Sequence, residues 1–209
     1  MPTILPKPSV NPSFWKQGIQ SHAIPFALAL AVLTLILRFA PLPENFATFG
    51  ALSLFCGLFL KGPARWFLPL AVLFVADSIG HFGNVPGMGF YHAPSMFFNY
   101  LGFAVFSLAG SVLSNVWDRH RFSLNASLAT VPAAAFAGSM IFFLISNFGA
   151  WLDPRMGYEA TLQGLGQCYW MGLPFWRWTL ASDLIFSVGF VAMAYGVSLW
   201  LARQTKSWA

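Results

Sequence analysis

The sequence predicts an all-α, polytopic membrane protein: six transmembrane helices, N-terminus and C-terminus both inside, with a long third outer loop. Three observations carry this. Hydrophobic residues make up 57% of the 209 residues and charged residues only 8%, against about 25% charged in an ordinary soluble domain. So few charges cannot cover a chain of this size in water, whereas a bilayer lets the outer surface stay apolar. The apolar residues gather in six runs, at 22–40, 46–60, 66–82, 94–117, 124–150 and 173–202. The basic residues alternate between the connecting segments as the positive-inside rule requires.

Residues 1–21 hold Pro2, Pro6, Pro8 and Pro12 among polar residues and read as a disordered cytoplasmic lead. The first run resembles the apolar part of a signal peptide. It passes into Arg38-Phe39-Ala40-Pro41 without a cleavage site, so it is expected to stay as an uncleaved span. The membrane domain then covers 22–202, and 203–209 form a cytoplasmic tail. The run at 46–60, between Pro43 and Lys61-Gly62-Pro63, is shorter than the roughly 20 residues a span needs. A tilted helix, a partial span and a re-entrant hairpin all fit its length. Charge placement favours a span. With the N-terminus inside, Lys7, Lys16, Lys61, Arg65, Arg119, Arg121, Arg203 and Lys206 lie inside, while Arg38, Arg155 and Arg177 lie outside. Without that span, Lys61 and Arg65 would fall on the wrong side.

The same inventory excludes several functions. The net charge of +5 comes without a basic run interleaved with polar residues, so no nucleic-acid partner is expected. There is no phosphate-binding loop with Lys-Ser/Thr, no HExxH, no CxxC and no GxSxG. The chain is therefore not expected to hydrolyse ATP, to be an enzyme, or to carry a cofactor or metal. Cys56 lies in an apolar run and Cys168 in the third outer loop, so a disulfide is not expected.

The polar residues concentrate on the outer side. Asp77 and Asp183 stand inside apolar runs, where a charge at the membrane centre costs about 2.5–3.5 kcal/mol and must find a partner. Arg38 and Arg177 are the cations at similar depth. Asp77 and His81 are four residues apart and share a helix face. A pocket lined by Arg38, Asn45, Asp77, His81, Asn147, Trp151, Tyr169, Arg177 and Asp183 would hold a small molecule, with Trp151 and Tyr169 stacking on it. The plainer reading is a pair of Asp–Arg bridges locking helices together. The loop at 151–172 has many aromatic residues and Gly157, Gly164 and Gly166, which suits either a lid or an interfacial belt. On the inner half of the first helix, Ala23, Ala27 and Ala31 repeat every four residues, the spacing that lets a partner helix approach closely.

Four stretches carry a resemblance: Arg38-Phe39 through Pro43 with Asn45-Phe46, Ala51-Leu52 and Phe55; Ser146-Asn147-Phe148-Gly149-Ala150-Trp151; Gly164-Leu165 through Cys168-Tyr169; and Pro174-Phe175 to Thr179-Leu180 and Asp183. With these the chain resembles an uncharacterised family of bacterial six-helix membrane proteins, departing from it at Met156-Gly157-Tyr158-Glu159. Its architecture is similar to the substrate-binding S components of energy-coupling-factor vitamin importers. That similarity implies the bacterial plasma (inner) membrane, an outward ligand pocket under loops, and docking of a coupling membrane subunit and ATPases through the small-residue stripe. The expected function is thus capture of a vitamin-like solute. The alternatives are a structural or accessory subunit without a ligand, and a membrane enzyme using Asp77 and His81 as acid and base, or with His92 as metal ligands.

Overall fold

The computed structural model describes residues 14–86, 88–120 and 124–206. They form seven α-helices: α1 Phe14–Gln20, α2 Ala23–Arg38, α3 Phe49–Phe59, α4 Ala64–Phe82, α5 Ala93–His120, α6 Leu124–Trp151 and α7 Leu162–Lys206, with a 3₁₀ turn at Pro154–Met156. Three of them, over Ala93–His120, Asn125–Trp151 and Leu162–Leu201, are long and apolar enough to cross a membrane, and α2 and α3 are shorter apolar helices. Their outward faces are apolar too. On α2, Ile24, Leu28, Val32 and Ile36 repeat every four residues and are 50–63% exposed, a stripe that water would not tolerate and lipid would.

The short second run has a physical explanation. α3 has 11 residues, all of them buried, and is about 16 Å long, about half of a hydrocarbon core. Backbone that is not helical survives at membrane depth only inside protein, and α3 is enclosed by α2, α4, α5 and α7. The enclosure depends on small residues. Gly57 of α3 meets the Ser107 carbonyl, and Gly110 of α5 meets the Leu54 carbonyl. Serines of α5 bond the α3 carbonyls alongside: Ser107 Oγ donates to Ser53 O at 3.2 Å and Ser114 Oγ to Leu58 O at 2.8 Å.

The Ala23/Ala27/Ala31 stripe, expected to dock another subunit, is 0–6% exposed. α2 packs on α3 and α4, so the chain's own helices take the close approach that the alanines allow.

Two further expectations change. The disordered lead at 1–21 is helical over Phe14–Gln20; residues 1–13 lie outside the described residues. Lys16 ties this helix down. Its side chain is 4% exposed, and Nζ lies 2.7 Å from Asp118 Oδ1 and donates to Ser114 O at 3.0 Å. Lys16→Met is expected to cost about 1 kcal/mol, since Asp118 is solvated, and to speed amide exchange over residues 14–20 before any other helix. Unchanged exchange there would contradict this anchoring.

The third loop is also shorter than expected, because residues 162–172, with Cys168, are helical. Thr161 caps α7: its Oγ1 accepts from Gly164 N at 3.1 Å, and its carbonyl accepts from Leu165 N at 2.9 Å. A threonine at this position satisfies an otherwise orphaned N–H, which outweighs the low helix propensity of Gly164 and Gly166. At 45 residues, α7 runs about 67 Å, with Pro174 as the natural place for a bend. Its helix continues to Lys206, into the expected tail of 203–209; residues 207–209 lie outside the described ones.

Candidate functional site

One end of the bundle gathers the C-terminal ends of α2, α4 and α6 and the N-terminal ends of α3, α5 and α7. The residues expected to form one pocket divide there among three places.

The first joins α2, α4 and α5. Asp77 is buried at 8% exposure. The Tyr100 hydroxyl donates to its Oδ2 at 2.8 Å. Arg38, half-buried at the end of α2, is near enough for its charge to favour the ionised Asp77, but the two form no salt bridge. Asn99 Nδ2 donates to the Tyr91 hydroxyl. A buried carboxylate thus holds the Tyr100 hydroxyl, with Arg38 and the bonded pair Asn99–Tyr91 in the same neighbourhood, and Tyr91 opens to the surroundings. These groups can recognise a small molecule with both donors and acceptors. His81 stands beside them but is exposed, its ring against Phe82 and Phe90 at 5.3 and 5.2 Å. It makes no bond to Asp77, although the two are one turn apart.

The second joins α6, α7 and the loop between them. Here the polar atoms are engaged with backbone. Asn147 Nδ2 donates to Phe143 O at 2.9 Å, Trp151 Nε1 to Glu159 O at 2.8 Å, and Tyr169 Oη to Leu144 O at 2.9 Å. The Asn147 side chain also fills the space beside Gly172 that a Cβ there would need. Trp151 thus fixes the loop and Tyr169 fixes α7 to α6, while the Asn147 bond stays within α6. Gly157, at φ 72°, closes the 3₁₀ turn.

Asp153 braces the same loop from below. Its carboxylate accepts from Arg155 Nη2 at 2.6 Å, Arg155 Nε at 2.9 Å and Arg155 N at 3.0 Å, and His92 Nδ1 lies 3.8 Å away. The Arg155 side-chain bonds hold its pKa down to about 2. The unfolded carboxyl titrates near 3.9, so the bracing is complete above about pH 4 and is lost as pH falls through the folded value near 2. Amide protection over residues 152–161, taken relative to the intrinsic exchange rate at each pH, should therefore fall from about pH 4 downward in the wild type. Asp153→Asn should exchange fast even at neutral pH, and a slow loop in that variant would contradict the bracing.

The third place is the seam of α3 and α7. Asp183 is 1% exposed and rests against Gly50, at the spot that a Cβ there would fill. Asn45, exposed and at φ 62°, accepts through its carbonyl from Thr179 Oγ1 at 3.3 Å. Arg177 does not pair with Asp183. It is exposed and lies over the Trp178 ring at 5.2 Å. The expected Asp–Arg bridge is therefore absent here, because Arg177 and Asp183 project from different faces of α7.

Sequence reading missed Tyr91, Tyr100 and Gly50. Tyr100 offered a signal, since a tyrosine hydroxyl in an apolar helix seeks a partner, but nothing in the order of residues pairs it with Asp77. Among the described residues no three His, Cys, Asp or Glu side chains gather as metal ligands, and Asp77, His81 and His92 do not converge. Two concavities lie elsewhere: one of about 250 Å³ lined by Gln20, Ala23, Phe59 and Lys61, and an apolar groove of about 340 Å³ between α5 and α6.

This is a helical membrane protein with a charged and aromatic cluster set into one end. It belongs to a family of unknown function, DUF6580, whose model matches residues 19–206. No curated protein and no solved structure matches the chain.

Proposed function

We propose that the chain is a solute-capture subunit of an importer of the energy-coupling-factor type, set in the bacterial plasma membrane with both termini in the cytoplasm. Six spans, α2 to α7, alternate between the two faces, and the Arg38/Asp77 end faces outward. The observation that carries the reading is the cluster of Arg38, Asp77 and Tyr100 at that end, with Tyr91 opening outward beside it. A buried carboxylate in an apolar helix is costly and marks a functional position. Its neighbours supply charge, hydroxyls and an amide for a small polar ligand. Asp77, Arg38, Tyr91 and Asn99 would orient the solute, and His81 would lie at its edge. Trp151 would hold the neighbouring loop in place and Tyr169 would hold α7 to α6. With the alanine stripe covered, the exposed apolar face of α2 is the surface left on that helix for a coupling subunit.

A second reading, an accessory subunit without a ligand, is favoured by how fully the polar atoms of Asn147, Trp151 and Tyr169 are engaged with backbone. Affinity purification in mild detergent, followed by mass spectrometry, separates the two. An ATPase pair and a coupling membrane protein should accompany the chain if it is a capture subunit. A different stable complex would replace this reading with the accessory one.

A further inference from the structure

Asp183 lies in a setting that its neighbours leave incomplete. α3 and α7 run in the same direction from the Asn45 end, and the Asp183 carboxylate sits against Gly50 in the first turn of α3. Its Oδ2 has no hydrogen-bond partner. One turn farther along each helix stand Ser53 and Ser187, and just before α3 stands Thr48. All three are buried, at 0–2% exposure, and their hydroxyls also lack partners. Ser139 of α6 faces the carboxylate and accepts from Trp176 Nε1 at 3.2 Å. Among the described residues no lysine, arginine or histidine forms an ion pair with Asp183.

Burial favours the protonated form of an unpaired carboxyl, and it stays ionised there only beside a counter-charge. The first turn of α3 favours the ionised form, because the helix dipole is positive there. In its ionised form the site lacks a cation. Its free atoms are a carboxylate oxygen and hydroxyl oxygens, the hard ligands that alkali and alkaline-earth ions take and softer metals do not prefer. One carboxylate balances one positive charge. We propose that Asp183, with Thr48, Ser53 and Ser187, binds a single alkali cation of the sodium type at the α3–α7 seam. Gly50 is then required because any side chain there would displace the carboxylate. The site is distinct from the Asp77 cluster and holds whether or not that cluster takes a solute.

The test is thermal melting of the purified full chain in detergent, titrated with sodium chloride against N-methylglucamine chloride at equal ionic strength. Sodium should raise Tm saturably, by about 5 °C at high occupancy, and Asp183→Asn should melt alike in both salts. Thr48→Val and Ser187→Ala should each raise the sodium midpoint about fivefold or more. Equal melting of the wild type in the two salts would overturn the proposal. So would a wild-type melting point that responds to pH but not to sodium, since that assigns the position to a proton. Should Asp183→Asn fail to fold, the other two variants decide, and an unchanged sodium midpoint in both would overturn it.

Discussion

Gly57→Leu is expected to unfold the bundle rather than to adjust it. A Cβ at Gly57 would overlap the Ser107 carbonyl and stand 3.0 Å from Ser111 N. These are backbone atoms of α5 and cannot rotate away. The opposing contact is as close, since a Cβ at Gly110 would stand 2.9 Å from Leu58 N. Relief requires α3 and α5 to separate along their length. That would also break the bonds from Ser107 and Ser114 to α3 carbonyls and open the enclosure that keeps an 11-residue helix out of lipid. The loss should be about 3 kcal/mol or more, visible as a melting transition lowered by roughly 10 °C or lost. Gly166→Ala is the control. A Cβ there meets nothing within 4 Å, and alanine favours a helix, so its Tm should hold or rise slightly. Equal melting of the two variants would contradict the packing described for α3.

Asp77 should show the second large effect, and its pattern separates binding from bracing. Asp77→Ala leaves the Tyr100 hydroxyl without its acceptor and removes the negative charge nearest Arg38. A loss of about 2 kcal/mol is expected, less than for a buried ion pair because Arg38 stands beyond salt-bridge distance. Tyr100→Phe should lose about 1 kcal/mol. The double variant should lose less than the sum, since the two residues share one bond. Melting of the four proteins in a mutant cycle checks this. Strict additivity would mean that the Tyr100–Asp77 bond contributes nothing to the fold.

The helical fold and its apolar surface were legible because hydrophobicity and length carry them directly. The place of α3 was legible only as a question. Its run is too short for lipid, and no local pattern reveals that four other helices would surround it. Gly57 and Gly110 mark the contact, but they are 53 residues apart and only the fold pairs them. The alanine stripe marked a close-packing face without its neighbour, because periodicity shows a face and not what covers it; in the fold, α3 and α4 pack on α2. The glycines at 157, 164 and 166 suggested a loop through 172, and the Thr161 cap starts the helix eleven residues earlier. Among the site residues, Asp77 and Arg38 stood out because a charge in an apolar run must be paired. Arg177 and Asp183 stood out for the same reason, yet a bend or a rotation of one helix decides whether two such residues meet. Tyr91 and Tyr100 were not singled out in the sequence, because only the packing of α4 against α5 brings Tyr100 to Asp77.

The central claim is that the Arg38/Asp77 end holds a solute. The most direct measurement is to purify the wild-type chain and Arg38→Gln in mild detergent, confirm equal melting, and identify the small molecules released on denaturation. A single polar compound released in near-stoichiometric amount by the wild type, and reduced at least tenfold in Arg38→Gln, is the predicted result. Equal amounts from both proteins, or no compound from the wild type even after incubation with a cell extract, would contradict it.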